Sequence, residues 1–221
     1  MRPVLCLVTD RRRLAPAAAD TVVQTEALVT CVAAAARAGV DLVQVRERDL
    51  EGGELTRLVR RCVDAARGSS TRVLVNDRVD VALAAGAHGV HLPGHGVAAA
   101  RVRAMVPRGF LVGRSVHDAR EAVGVVGEGG LDYLIFGTVF PTASKEGITP
   151  AGVFGLAAAV AAVPVPVLAI GGITLELAPQ IARTGAAGFA AIALFAGVCA
   201  DSSARMHDLV ADAARAFDAS G

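Results

Sequence analysis

The chain has 221 residues, a formal charge of +1, 53% apolar residues and only 4% aromatic residues. With no long basic run and no basic residues interleaved with aromatics, it is not expected to bind nucleic acid, and a small-molecule partner is the expectation. No segment approaches the ~20 apolar residues of a membrane span, and the apolar run before Asp10 is too short for a signal peptide, so a cytoplasmic protein with no membrane partner is expected.

Short apolar runs at 4–8, 42–46, 72–75, 89–92, 110–113, 133–136, 166–170 and 188–192 read as strands. Ala-rich amphipathic stretches near 24–38, 53–67, 78–86, 97–106, 118–127, 153–163, 174–184 and 203–218 read as helices. Strand followed by helix, repeated to the end with no long linker, predicts an α/β fold: a (β/α)8 TIM barrel, as a single domain over 1–221. An open flavodoxin-like sheet normally uses about five strands and would leave the remaining units unexplained. The scarcity of aromatics requires a core of Ala, Val, Leu and Ile, which suits helices packed closely on a parallel sheet.

In such barrels the chemistry sits at the carboxyl ends of the strands. Taken in order, the first strand ends on Thr9-Asp10, the second carries Gln44, Arg46 and Arg48, the third ends on Asn76-Asp77 and the fourth on His91. Beyond the fifth come Arg114, Ser115 and His117, an imidazole whose ordinary pKa suits proton transfer at neutral pH. The loop after the sixth offers Thr142, Ser144 and Lys145, hydroxyls and an ammonium suited to phosphate or pyrophosphate. After the seventh, Gly171 and Gly172 let backbone N–H groups approach an anion closely, and the loops after the last two strands, including Ile192, are the usual phosphate cradle of this fold. Each residue alone has an ordinary structural explanation: Asp10 or Asp77 could cap a helix, and Arg46 could pair with Glu47. As a set at one rim they point to a ligand site.

His88, His95 and His207 read as structural, at a strand start, in a loop and on the last helix. With no HExxH or close ligand spacing, no zinc site is expected. Cys6, Cys31, Cys62 and Cys199 are widely spaced with no CxxC pair and read as reduced, mostly buried thiols.

LVTD at 7–10, VQVRER at 43–48, NDRVDVAL at 76–83, GVHLP at 89–93, GRSVH at 113–117, DYLIFGTVFPTASKEG at 132–147 and PVLAIGGIT at 166–174 closely resemble the thiamine phosphate synthase/TenI superfamily, over about residues 4–197. The resemblance implies the same barrel and thiazole phosphate or thiamine phosphate as ligand. It carries two activities. The synthase joins hydroxymethylpyrimidine diphosphate to thiazole phosphate with release of pyrophosphate; the TenI-type tautomerase aromatises carboxythiazole phosphate. In the synthase a Gln-x-Arg-x-Lys run binds the diphosphate and two aspartates hold Mg2+. Here Gln44 and Arg46 match, Arg48 replaces the lysine, Asp77 keeps the first metal position and Gly96 stands where the second aspartate falls. Arg-Glu-Arg at 46–48, Leu92-Pro93 and the GRSVH run look more like the tautomerase branch. Asp77 departs from that branch, and Ala193 departs from both, which often place a phosphate-binding serine there.

The expectation from the sequence is therefore a metal-independent thiazole tautomerase, an isomerase of thiamine biosynthesis, with His117 as catalytic acid/base and no cofactor. Substrate would be held by Gln44, Arg46, Arg48, Asn76, Ser115, Thr142, Ser144, Lys145, Gly171, Gly172 and Ile192. The alternative is a thiamine phosphate synthase, a transferase, with Mg2+ on Asp77. A second alternative is a non-catalytic regulator that binds a phosphate ligand. Homo-oligomerisation is left open.

Overall fold

The computed structural model describes residues 2–15, 20–142, 147, 149–199 and 203–218. The apolar runs form β1 (Val4–Val8), β2 (Leu42–Val45), β3 (Arg72–Asn76), β4 (Gly89–Leu92), β5 (Leu111–Val116), β6 (Tyr133–Gly137), β7 (Val167–Ile170) and β8 (Gly188–Ala191). They close in sequence order into an eight-stranded parallel barrel with helices between them, the (β/α)8 architecture that the alternating pattern predicts. Every residue of β2, β4, β6 and β8 is buried, which explains why these strands read as unbroken apolar runs instead of alternating ones.

The helices are α1 (Arg11–Leu14), α2 (Thr21–Ala38), α3 (Gly52–Ala65), α4 (Val79–Ala85), α5 (Ala99–Met105), α6 (Ala119–Gly127), α7 (Gly152–Ala162), α8 (Ala178–Ala182), α9 (Ala193–Cys199) and α10 (Ser203–Asp218). Among the described residues no helix is long and apolar enough to cross a membrane. Two of these helices, α1 of 4 residues and α9 of 7, are absent from the pattern read in the sequence. The expected helix at 174–184 is instead a 3-10 turn, Leu175–Leu177, followed by α8, whose first turn holds Pro179.

A larger difference concerns β5. The apolar run ends at Gly113 and places Arg114 and Ser115 beyond the strand, yet the segment pairs in register with β6: Gly113 with Tyr133, Arg114 with Leu134, Ser115 with Ile135 and Val116 with Phe136. Tertiary pairing overrides the local preference, and Ser115 becomes a strand residue.

The contacts gather in two compact units, one built around His91–Ala191 and the other around Leu5–Val90. In the first, the Phe189 and Phe217 rings meet at 6.0 Å. In the second, Asp20 caps α2 by accepting from the Val22 N–H at 2.7 Å, and Gly39 ends it in the left-handed conformation. This unit also corrects the reading of the thiols, for Cys31 of α2 and Cys199 of α9 form a disulfide. A separation of 168 residues hid the pair from any spacing rule. Cys6 and Cys62 are free and buried, as expected, and burial pushes both thiols up to about 12.

A cross-link over so long a loop restricts the unfolded chain most. Cys31→Ser is expected to lower stability by about 2–4 kcal/mol in urea unfolding. Dithiothreitol should bring the unaltered protein down to the same midpoint and leave the variant where it is; equal midpoints throughout would show that the bond does not form in solution.

Candidate active site at the carboxyl ends of the strands

At the ends of β1, β2 and β3 the polar side chains are held by one another. The Gln44 side chain is buried and donates from Nε2 to Asn76 Oδ1 at 3.0 Å. Glu47, 5% exposed, is the hub of a second set. It accepts from Thr9 Oγ1 at 2.6 Å, from the Arg11 backbone N–H at 3.2 Å and from Arg11 Nη1 at 3.0 Å. Burial alone raises the pKa of Glu47, and these donors oppose that rise. Arg11 also holds both oxygens of Asp49, at 2.7 and 2.6 Å, and so keeps that carboxyl down at about 2. The partner of Glu47 is thus Arg11, where the sequence allowed Arg46. Nothing in the sequence pairs the two, because they lie 36 residues apart.

Arg46 is tied to the same set through its backbone, its N–H donating to Thr9 Oγ1 at 3.0 Å. Its guanidinium is half-buried, and burial together with the neighbouring charge of Arg48 pulls its pKa down. Arg48, Asn76 and Asp77 line one cleft together with Glu47, Leu50 and Leu55. Asp77 stands there with a φ of 66°, a left-handed conformation that non-glycine residues seldom adopt outside functional or turn positions. With Glu47 engaged by Arg11 and Thr9, Asp77 is the exposed carboxylate of this cleft.

No group of three or more His, Cys, Asp or Glu residues able to hold a metal occurs among the described residues. One carboxylate beside an amide oxygen does not make a cage. It does suit Mg2+, which keeps several waters and takes most of its remaining ligands from substrate phosphates.

The other unit places His91, Ser115 and Tyr133 together. His91, which ends up only 2% exposed, has Nδ1 3.1 Å from Tyr133 Oη and Nε2 2.9 Å from Ser115 Oγ. The sequence marks His91 only as a strand-end residue and gives Tyr133 no role; their contact spans 42 residues. Arg114 is buried too, and its guanidinium donates to the backbone oxygens of Gly94 and Val97, pinning the loop after β4. Within that loop Gly96 closes a turn by donating to Pro93 O at 3.0 Å. His117 follows β5 directly, but its side chain is half-exposed. Both its backbone N–H, at 2.7 Å, and its Nδ1, at 3.2 Å, meet Glu121 Oε2 at the start of α6.

The loops after β6 and β7 interlock. Val139 N–H donates to Ile170 O at 2.9 Å and Phe140 N–H to Gly171 O at 3.0 Å. Gly172 has a φ of 63°, and a Cβ there would lie 2.3 Å from Pro141 O. Only glycine fits both constraints. Thr142 lies in this loop, whereas Ser144 and Lys145 fall outside the described residues. Ile192 is half-buried directly after β8, where its carbonyl accepts from Ala196 N–H at 3.0 Å.

Comparison with known proteins bears on what such a rim does. A thiamine-phosphate synthase of Chlorobium luteolum is 36% identical over 191 residues, spanning 86% of this chain and 84% of its own. A thiamine-phosphate synthase of Methanoregula boonei is 39% identical over 160 residues, spanning 72% and 74%. Among solved structures, thiamine phosphate pyrophosphorylase from Pyrococcus furiosus superposes with a TM-score of 0.79 at 28% identity, covering 98% of each chain. These likenesses overturn the expectation of a thiazole tautomerase, and with it the isomerase assignment. The features that suggested it are local: Gly96 serves a turn, and His117 is engaged by Glu121. The described likeness runs the length of the barrel. Residues 5–195 match the family described as thiamine monophosphate synthase, and the chain belongs to that family.

Proposed function

We propose that this protein is a thiamine phosphate synthase, joining hydroxymethylpyrimidine diphosphate to thiazole phosphate with release of pyrophosphate. The observation that carries the reading is the cleft where Arg48, Asn76 and Asp77 meet, with Gln44 bonded to Asn76 behind it. It offers cations, amide groups and one exposed carboxylate, the donor set that a metal-bound diphosphate requires. Whole-length similarity to synthases supports the same assignment.

In this reading the bond from the pyrimidine's carbon to the diphosphate oxygen breaks as that carbon bonds to the thiazole. The departing oxygen carries the electron pair away, so the protein's task is to stabilise developing negative charge. Arg46 and Arg48 do this as fixed cations, and the Glu47 set holds the backbone of Arg46 in place. Gln44 orients Asn76 and Ser115 adds a hydroxyl. Gly171, Gly172 and Ile192 offer main-chain groups to the thiazole's phosphate, with Thr142 beside them. Asp77 would hold Mg2+, which when bound neutralises the leaving pyrophosphate. His117 has no step to perform.

Purified protein given both substrates and Mg2+ should form thiamine phosphate and pyrophosphate. Excess EDTA should cut the rate at least about 100-fold, and added Mg2+ should restore it. Absence of product with both substrates and Mg2+ would overturn the reading, and undiminished turnover in EDTA would remove Asp77 from it.

A further inference from the structure

The synthase reading leaves His91 and Tyr133 without a task, although both are buried beside Ser115. Their packing is specific. Gly113 and Ser115 alternate onto the same face of β5, and Tyr133 lies opposite Gly113 on β6. A Cβ at position 113 would sit 2.1 Å from Tyr133 Cζ and 2.5 Å from its Oη, so glycine there is what admits the phenol ring. The ring's hydroxyl reaches His91 Nδ1, and the far side of the imidazole reaches Ser115 Oγ.

Burial, with the charge of Arg114 adding to it, pushes the pKa of His91 down to about 3 and keeps the ring neutral. A neutral imidazole carries one N–H and one lone pair, so it donates on one side and accepts on the other. The phenol is a far stronger acid than the alcohol and is the better donor of the two. Tyr133 O–H therefore donates to Nδ1, which leaves the proton on Nε2 to be donated to Ser115 Oγ. Ser115, accepting from His91, keeps its own hydrogen for another acceptor.

We propose that Tyr133 and His91 are positioning residues, a fixed relay that makes the Ser115 hydroxyl a hydrogen-bond donor to the departing pyrophosphate. The identity of the anion rests on the synthase reading. The relay itself rests on the two hydrogen bonds of His91 and on Gly113. Without the phenol, nothing holds the proton on Nε2; the imidazole can then take the serine's hydrogen, and the donor to the anion is lost.

The first measurement is histidine-selective 15N NMR on the full chain. His91 is expected to be neutral with its proton on Nε2 from pH 5 to 8, and Tyr133→Phe to raise the Nδ1-protonated form. A charged His91 in that range, or a proton on Nδ1 in the unaltered protein, would overturn the relay.

The second is calorimetric binding of inorganic pyrophosphate with Mg2+, which needs no turnover. Ser115→Ala should weaken binding at least about 10-fold, the loss of one hydrogen bond to a charged group. Tyr133→Phe should weaken it about 5-fold alone but less than about 2-fold in the Ser115→Ala background, since the relay acts only through that hydroxyl. An equal loss in both backgrounds, or none, would overturn the relay and leave the synthase reading intact. Should Tyr133→Phe fold poorly, His91→Leu and His91→Gln take its place. His91→Leu, which neither donates to Ser115 nor accepts from it, should weaken binding less than Ser115→Ala, and His91→Gln, whose amide can donate at the Nε2 position, should recover most of the affinity; a loss in His91→Gln equal to that in His91→Leu would overturn the relay. Normal pyrophosphate binding without thiamine phosphate formation would sink the synthase reading and leave the relay to these comparisons. No pyrophosphate binding at all would sink both.

Discussion

Glu47→Ala is expected to destabilise the protein by about 3 kcal/mol, at the lower end of the range for breaking a buried ion pair. The loss comes from Arg11, whose side chain is 4% exposed and whose Nε already lacks a partner. Without Glu47 it would keep only Asp49, whose side chain is 39% exposed. That surviving pair is the reason for placing the loss at the low end, because Arg11 retains two charge-assisted bonds. For a chain of this length about 3 kcal/mol corresponds to roughly 6–12 °C in Tm. Differential scanning calorimetry checks it, and an unchanged Tm would show that Asp49 alone satisfies Arg11. The same substitution frees the hydroxyl of Thr9 on which the Arg46 backbone rests, so a fall in kcat should accompany the fall in stability. Glu47→Gln, which keeps an acceptor for Thr9, should lose less of both.

Gly172→Ala is expected to weaken binding of thiazole phosphate about 100-fold. Two effects add. A left-handed alanine costs about 1–2 kcal/mol, and its Cβ, 2.3 Å from Pro141 O, must push the loop after β6 away. The displaced turn would no longer aim its backbone N–H groups at the phosphate, and each such bond to a charged ligand contributes about 1.5–3 kcal/mol. Titration calorimetry with thiazole phosphate reads this directly, and unchanged affinity would mean that phosphate is held elsewhere. Because the strain falls on a loop–loop contact and not on a strand, the barrel should survive, and circular dichroism should show an unaltered helix content.

Much of the architecture is legible in the residues alone. The order of the elements and most strand limits follow from periodicity and from the burial of both faces of a parallel strand, which are properties of neighbouring residues. The rim positions Gln44, Arg46, Arg48, Asn76 and Asp77 could be named because the fold itself says that strand ends carry the chemistry. A few such residues point to the wrong reaction, since Gly96 and His117 have local roles that a motif does not reveal.

Only the tertiary structure decided which of these groups touch. Gln44 meets Asn76 across 32 residues, Thr9 meets Glu47 across 38, His91 meets Tyr133 across 42 and Cys31 meets Cys199 across 168. The disulfide depends on how α2 meets α9; the other pairs depend on how strands are aligned, and a one-residue slip would turn every side chain of a strand to its other face. Chain periodicity says that a strand exists and where it ends. Its partner's register says what each end residue can hold, and for Ser115 that partner is a histidine of the preceding strand, 24 residues away.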